Sequence, residues 1–283
     1  MEVIKVYILM KKIDTQWKTL LIAVGVAAVT CGAQAGPIAY TSEYIPNALP
    51  STSGGTVANP SWDYSHTAAG TYSASVTDGI LSASTLPGIA NTQSWKIGQM
   101  GSSIFGTSSA WAVTPATGAT IDFTIKVTGS TGQAVSSPQI QGGFNIFVGD
   151  GTKYASVYFN TTGISVWGHT IASNTTHINT GFQTYRIAFA NGLLSLYEAG
   201  NETALFSNIA MVNTAGYNQM YWGDATGLAS GSFQLSQLGW NNTVADFSAP
   251  ISAVPEPGTV ALLLIGGLVL FVKGWRYLGV RQA

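Results

Sequence analysis

Charge is scarce in this chain, and its scarcity removes several functions at once. Only 8% of the 283 residues are Asp, Glu, Lys or Arg, against roughly a quarter in an average soluble domain. Between Gly36 and Val254 nine acidic residues face four basic ones, Lys96, Lys126, Lys153 and Arg186, a net charge of −5. That inventory cannot assemble a basic surface for nucleic acid. Cys31 is the single cysteine, so neither disulfides nor thiolate metal sites hold the body of the chain together. His66, His169 and His177 lie in separate segments without the i, i+4 spacing of a zinc-binding pair, and no metal or cofactor is expected. A Gly-x-Ser-x-Gly elbow and a phosphate-binding loop are missing as well.

What the chain does have is strongly organised at its two ends. Lys11, Lys12 and Lys18 precede the apolar run Leu20 to Val29, and Ala33-Gln34-Ala35 follows before Gly36. This is the pattern of a secretory signal peptide, residues 1–35, cut by signal peptidase ahead of Gly36. At the other end, Pro255 and Pro257 fix φ and lack an N–H, so the chain around Glu256 is held extended and outside any helix. From Gly258 to Val272 the residues are uncharged; as a helix they would be about 22 Å long, short but usable against a hydrocarbon core of about 30 Å. Lys273, Arg276 and Arg281 then keep the terminus on the cytoplasmic side of a transmembrane helix at 259–272.

Pro255-Glu256-Pro257, the short apolar helix and the basic end resemble the PEP-CTERM sorting signal of Gram-negative bacteria, here residues 251–283. The resemblance implies an exosortase substrate, exported, held briefly in the inner membrane, and passed to the cell surface or to an extracellular matrix rich in exopolysaccharide.

The residues between, 36–250, read as one all-β domain. Gly36 to Pro60, rich in Pro, Gly, Ser and Asn, predicts an irregular lead-in or edge strand. Ile121 to Val127 alternates apolar and polar residues with a period of two. Further strands are predicted at 72–76, 80–84, 110–113, 144–148, 154–159, 164–167, 182–189, 193–197, 220–222 and 233–238. Asp78-Gly79, Asp150-Gly151 and Asn191-Gly192 supply hairpin chemistry. About eleven short strands of this kind predict a β-sandwich or barrel. Within them Phe182 to Tyr197, a Tyr-Arg strand followed by a turn and a strand ending in Tyr, resembles the central hairpin of concanavalin A-like, laminin G-like jelly rolls. Met220 to Asp224 and Ser230 to Phe233 are similar to that family's late strands. The implied fold is a jelly-roll β-sandwich; no ligand residue is carried over, because Glu198-Ala199-Gly200 departs from the family's Asp-Gly.

Candidate chemistry is thin. Jelly-roll glycoside hydrolases need paired carboxylates beside the scissile bond, and none of the nine acidic residues has another two positions away. Glu198 and Glu202 form the closest pair and are expected to be solvated. Asp150 and Asp224 sit beside glycines, where a turn explains them and calcium is the alternative. The sequons at Asn160, Asn174, Asn201 and Asn241 fit surface turns. Of the tryptophans most are expected in the core, whereas Trp167 with His169, ending a strand before the polar loop 170–180, is the expected glycan contact. The chain thus reads as a non-catalytic exported protein. Its domain is either a glycan-binding module for exopolysaccharide or a structural matrix protein without a specific ligand, with a glycoside hydrolase-like enzyme as the third possibility. An exposed aromatic row would favour the first, a face of Ser and Thr the second, and paired carboxylates in a groove the third.

Overall fold

A computed structural model describes residues 38–50, 61–66, 72–86, 92–106, 108–132, 143–166, 180–224 and 229–250. Their strands are β1 Ser42–Tyr44, β2 Asp63–His66, β3 Ser73–Thr77, β4 Ile80–Ser84, β5 Gln93–Met100, β6 Ser103–Phe105, β7 Ala119–Gly132 and β8 Phe144–Gly149. They continue with β9 Lys153–Asn160, β10 Gly163–Val166, β11 Gln183–Ala190, β12 Leu193–Glu198, β13 Phe206–Ala210, β14 Val212–Asn213, β15 Tyr217–Asp224 and β16 Ala229–Asn241. The signal-peptide, sorting-motif and transmembrane assignments fall outside the described residues.

Two antiparallel sheets result. Sheet A runs β13-β12-β11-β7-β16-β4-β3, with β1 on the same edge of β16 as β4; sheet B runs β10-β9-β8-β15-β5-β2, with β14 on β9 and β6 on β5. The chain passes repeatedly from one sheet to the other, and the late strands β15 and β16 insert between early ones. This is the all-β sandwich with jelly-roll connectivity that the sequence implied.

Period-two patterning explains which faces meet. On β7, Ile121, Phe123, Ile125 and Val127 are buried, while Asp122, Thr124 and Lys126 point to the other side. Tyr185, Ile187 and Phe189 on β11 do the same. Sheet B answers with Ile146, Val148, Val157, Phe159, Met220 and Trp222. Between the sheets, Trp95 stacks on Trp222 at 4.7 Å, and Trp62 meets both Trp222 and Trp240 edge-on at 5.5 Å. Trp62, Trp95, Trp111, Trp222 and Trp240 are all core residues.

Several local expectations hold. Asp78-Gly79 (φ 52° and 74°) and Asn191-Gly192 (φ 52° and 74°) take the paired left-handed geometry of a two-residue hairpin. Ser42–Tyr44 is an edge strand. Others need correction. Residues 110–113 are not a strand: Ser108–Ala110 is a 3-10 turn. The backbone of Val113 is satisfied by a side chain instead, its N–H donating to Asn218 Oδ1 at 3.3 Å and its carbonyl accepting from Asn218 Nδ2 at 2.9 Å. β16 is thirteen residues long and outruns its predicted end, because a bulge between Leu235 and Gln237 shifts the phase and returns Leu238 and Trp240 to the core. β5 was not anticipated. Its Gly98 lies where a Cβ would stand 2.4 Å from the Asn218 carbonyl, a close approach that only glycine allows.

Candidate functional site

The two outer faces of the sandwich differ in kind. On sheet B, register carries one row of outward residues across five strands: Ser156, Phe147, Tyr221, Lys96 and Asp63. A second row, Tyr158, Asn145, Gly223, Ser94 and Ser65, runs beside it. Gly223 contributes no side chain, so the second row is low at its centre. The result is a groove of about 450 Å3, bordered further by Tyr154, Tyr217, Gln219, Phe105 and Met100.

Its aromatic rings are arranged as a stack. Tyr221 lies on Phe147 at 4.5 Å and 10° between planes, and Phe147 on Tyr154 at 5.1 Å and 18°. Tyr217 leans on both, 5.9 Å from Phe147 and 5.8 Å from Tyr154. Coplanar neighbours could not approach to such distances, so the rings use their faces on one another and present edges and phenol groups outward. This is how Phe147 becomes 5% exposed on a face that carries no second sheet. Burial, then the neighbouring phenols of Tyr158, Tyr154 and Tyr217, pushes the Tyr221 hydroxyl well above its usual range. The Tyr158 hydroxyl rises mainly through burial too. Both remain neutral hydroxyls that can donate as well as accept.

One polar group in the groove is unsatisfied. Gln219 is 3% exposed, and its Oε1 has no hydrogen-bond partner among the described residues. An orphan acceptor of this kind costs about 1–3 kcal/mol, and its position in the groove wall makes a ligand hydroxyl a suitable donor. Among the described residues Lys96 is the only ionic one in the lining; no Asp, Glu, His or Cys joins it there. Its ammonium lies 5.5 Å from the Phe105 ring centroid.

The outer face of sheet A is sealed in part, with a pocket of about 310 Å3 left beside the seal and lined by Tyr40, Asp122, Thr124, Thr184, Arg186 and Gln237. Arg186, 1% exposed, donates through Nε to Asp122 Oδ1 at 2.7 Å and through NH2 to Asp122 Oδ2 at 2.8 Å. NH1 reaches Asp246 Oδ2 at 2.7 Å and the Ser248 carbonyl at 3.3 Å. Burial alone would lower the guanidinium pKa, but Asp122, then Asp246 and Tyr40, more than offset it and hold it charged. The Tyr197 hydroxyl donates to the Phe247 carbonyl and that of Thr120 to the Val244 carbonyl, each at 2.9 Å. Residues 244–248 are thereby bound down over the sheet. Arg186 and Thr184 do face away from Tyr185, as alternation required. Asp122 and Asp246 are thus engaged in an ion-pair network with Arg186.

Other candidates resolve individually. Asp150 Oδ1 accepts from the N–H groups of Thr152 and Lys153, both at 2.8 Å, which makes it a turn residue. Asp224 accepts from the Thr85 hydroxyl. No three His, Cys, Asp or Glu gather as a metal site among the described residues. Glu198 is buried, not solvated as expected, because it ends β12 against the sheet; Glu202 is exposed. Asn160, Asn201 and Asn241 each accept the N–H of the threonine two residues on, at 2.7, 3.1 and 2.9 Å. The Asn-x-Thr triplets therefore serve as side-chain-closed turns, and Asn160 and Asn241 are buried in them, not surface-exposed. Asn174, His177 and the expected glycan contacts Trp167 and His169 lie outside the described residues. Tyr154, Phe147, Tyr217, Tyr221 and Gln219 were missed by sequence reasoning. The available signal was an aromatic residue in the outward phase of an otherwise apolar-in strand, as at Phe147 between Ile146 and Val148.

Comparison with known proteins supports the reading of the tail. Residues 253–278 match the model of the PEP-CTERM protein-sorting motif. They include Pro255, Glu256 and Pro257, and the motif implies export and exosortase processing in a bacterium. No curated protein matches the sequence. Among solved structures the chain is similar to the exoplasmic/lumenal domain of VIP36 in a Ca2+/Man-bound form, at 11% identity and TM-score 0.39, covering 75% of this chain and 94% of that one. It is similar to the carbohydrate esterase vb_24B_21 of Shiga toxin-encoding bacteriophage phi24B, at 14% identity and TM-score 0.40, covering 71% and 97%. A Bacillus licheniformis beta-glucanase gives 12% identity and TM-score 0.35, covering 59% and 81%.

Proposed function

We propose that this exported, exosortase-sorted protein binds polysaccharide along the outer face of sheet B and carries out no chemistry on it. On this reading the protein of a Gram-negative cell passes through the inner membrane to the surface or matrix, where its groove holds exopolysaccharide. One observation carries the proposal: a groove walled by stacked Tyr221, Phe147 and Tyr154 contains the buried, unpartnered acceptor of Gln219. Ring edges and hydroxyls suit the mixed C–H and O–H surface of a sugar chain. That none of the described lining residues is a carboxylate supports binding over glycoside hydrolysis, which needs two. The aromatic row also favours a ligand over a purely structural matrix role, although Ser65, Ser94 and Ser156 share the wall.

Affinity electrophoresis of the detergent-solubilised full chain through gels containing soluble polysaccharides tests this reading. Retardation by at least one glycan, reduced about tenfold or more by Tyr221→Ala, is the expected result. Equal mobility in every glycan gel would overturn it, and release of reducing sugar from the retained glycan would replace binding by hydrolysis.

A further inference from the structure

We infer that the groove selects a carboxylate-bearing polysaccharide, a uronate chain, over a neutral one; this rests on the polysaccharide reading above. The observation behind it is the placement of Lys96. In a domain with so few cations, one of them stands in the aromatic row, directly opposite Tyr221 in the β5–β15 register, half-buried against Phe105. β6 holds Phe105 there by pairing it with Gly98.

Consider what docking does to that ammonium. A neutral chain laid along the row would strip water from Lys96 and give it only sugar hydroxyls in return, a net loss for a compact, strongly hydrated charge. A carboxylate on the sugar replaces the lost hydration with a charge-assisted hydrogen bond. Among the described residues that line the groove none is an acid that could compete from within. Elsewhere the acidic residues near the sheets are already engaged, Asp122 and Asp246 by Arg186, Asp150 by its own turn and Asp224 by Thr85.

The one rival is Asp63, which follows Lys96 in the same row on β2 and is exposed. It forms no ion pair with Lys96 within 4.0 Å among the described residues, so the ammonium remains available to a ligand. The body's net charge of −5 opposes polyanions at long range, but salt at physiological strength confines that field to about 8 Å. Selection is therefore local to Lys96. A single point-charge donor, without an arginine fork or a cluster of cations, fits one carboxylate per contacting sugar better than a dianionic phosphate.

The test compares ligands that share a backbone and differ in whether the carboxylate is free or esterified. Polygalacturonate is set against its full methyl ester, and alginate against its propylene glycol ester, with xylan and mannan as neutral controls. All are run on the detergent-solubilised full chain as wild type, Lys96→Gln, Asp63→Asn and Tyr221→Ala. One acid should be retained about tenfold more tightly than its ester at low salt, the scale of one charge-assisted hydrogen bond. Lys96→Gln should bring that ratio to about one by weakening retention of the acid, Asp63→Asn should raise it, and sodium chloride should lower it. If acid and ester are retained equally by the wild type, or if Lys96→Gln leaves the preference intact, the selectivity claim is wrong and glycan binding stands. If no member of the panel is retained, the polysaccharide reading itself fails. Tryptophan fluorescence of each variant, unchanged from wild type, separates loss of binding from loss of fold.

Discussion

The two outer faces of this sandwich obey the same alternation and end in opposite uses. On sheet A the outward residues include Asp122 and Arg186, and the segment around Asp246 closes over them. On sheet B the corresponding positions hold Phe147, Tyr221 and Ser156, and no described segment covers them. An ion pair on an open face would be solvated and worth little; covering it turns it into an anchor for the chain that leads to the sorting motif. The neutral aromatics of sheet B, by contrast, cover one another and turn ring edges and hydroxyls toward the groove.

The largest expected effect belongs to the sealed face. Arg186→Ala leaves Asp122 buried without its partner, at a cost of about 3–5 kcal/mol. In a domain of this size that lowers the melting temperature by roughly 10 °C, readable by differential scanning fluorimetry. Tyr221→Ala on the open face should cost far less stability while removing most glycan retention. The reverse pattern, a stable Arg186→Ala and a collapsed Tyr221→Ala, would mean the roles of the faces have been exchanged.

Alkaline pH acts on both faces. Burial, joined for Tyr40 by Asp122, raises the hydroxyl pKa values of Tyr40 and Tyr221, and burial does the same for Tyr44 and Tyr185 in the interior. A pKa raised on folding contributes stability that is complete below the unfolded value, about 10, and is lost as pH rises through the folded one. Stability should therefore be level from neutral pH to about 10 and fall above it. Absorbance at the phenolate band should show these tyrosines ionising together with unfolding; free titration of all of them near pH 10 in the folded state would contradict their burial.

Salt should matter least. The Arg186–Asp122 pair is shielded from solvent and few exposed pairs exist among the described residues, so the melting temperature should move by only about 2 °C up to molar sodium chloride. A larger shift would show that surface electrostatics had been underestimated.

Much of the fold was legible because local signals agreed with one another. β4, β11 and β12 were found at nearly their true limits, where clean alternation meets an Asp-Gly or Asn-Gly turn. β5 was obscured by Gly98 and by Ser94, Lys96 and Gln99, which break up its apolar residues. The bulge between Leu235 and Gln237 resets the phase inside β16, so the alternation that starts at Phe233 does not carry through to Trp240. The groove was harder for a different reason. Its residues come from β2, β5, β6, β8, β9 and β15, one to three from each, and only the register of those strands makes them neighbours. Read singly, Tyr154 and Tyr221 look like ordinary strand aromatics. Trp167 and His169 drew notice because they are adjacent in sequence, a nearness that says little about which residues share a sheet face. The sorting motif was fully legible, being a local pattern that depends on no long-range contact.

Hydrogen exchange of the full chain, followed by mass spectrometry with and without whichever polysaccharide retards it, tests the central claim most directly. Added protection should fall on peptides covering 144–160 and 217–224, the strands that build the groove, and should leave 119–127, 183–190 and 242–250 unchanged. Protection confined to the sheet A face, or absent from 144–160 and 217–224, would contradict the assignment of glycan binding to sheet B.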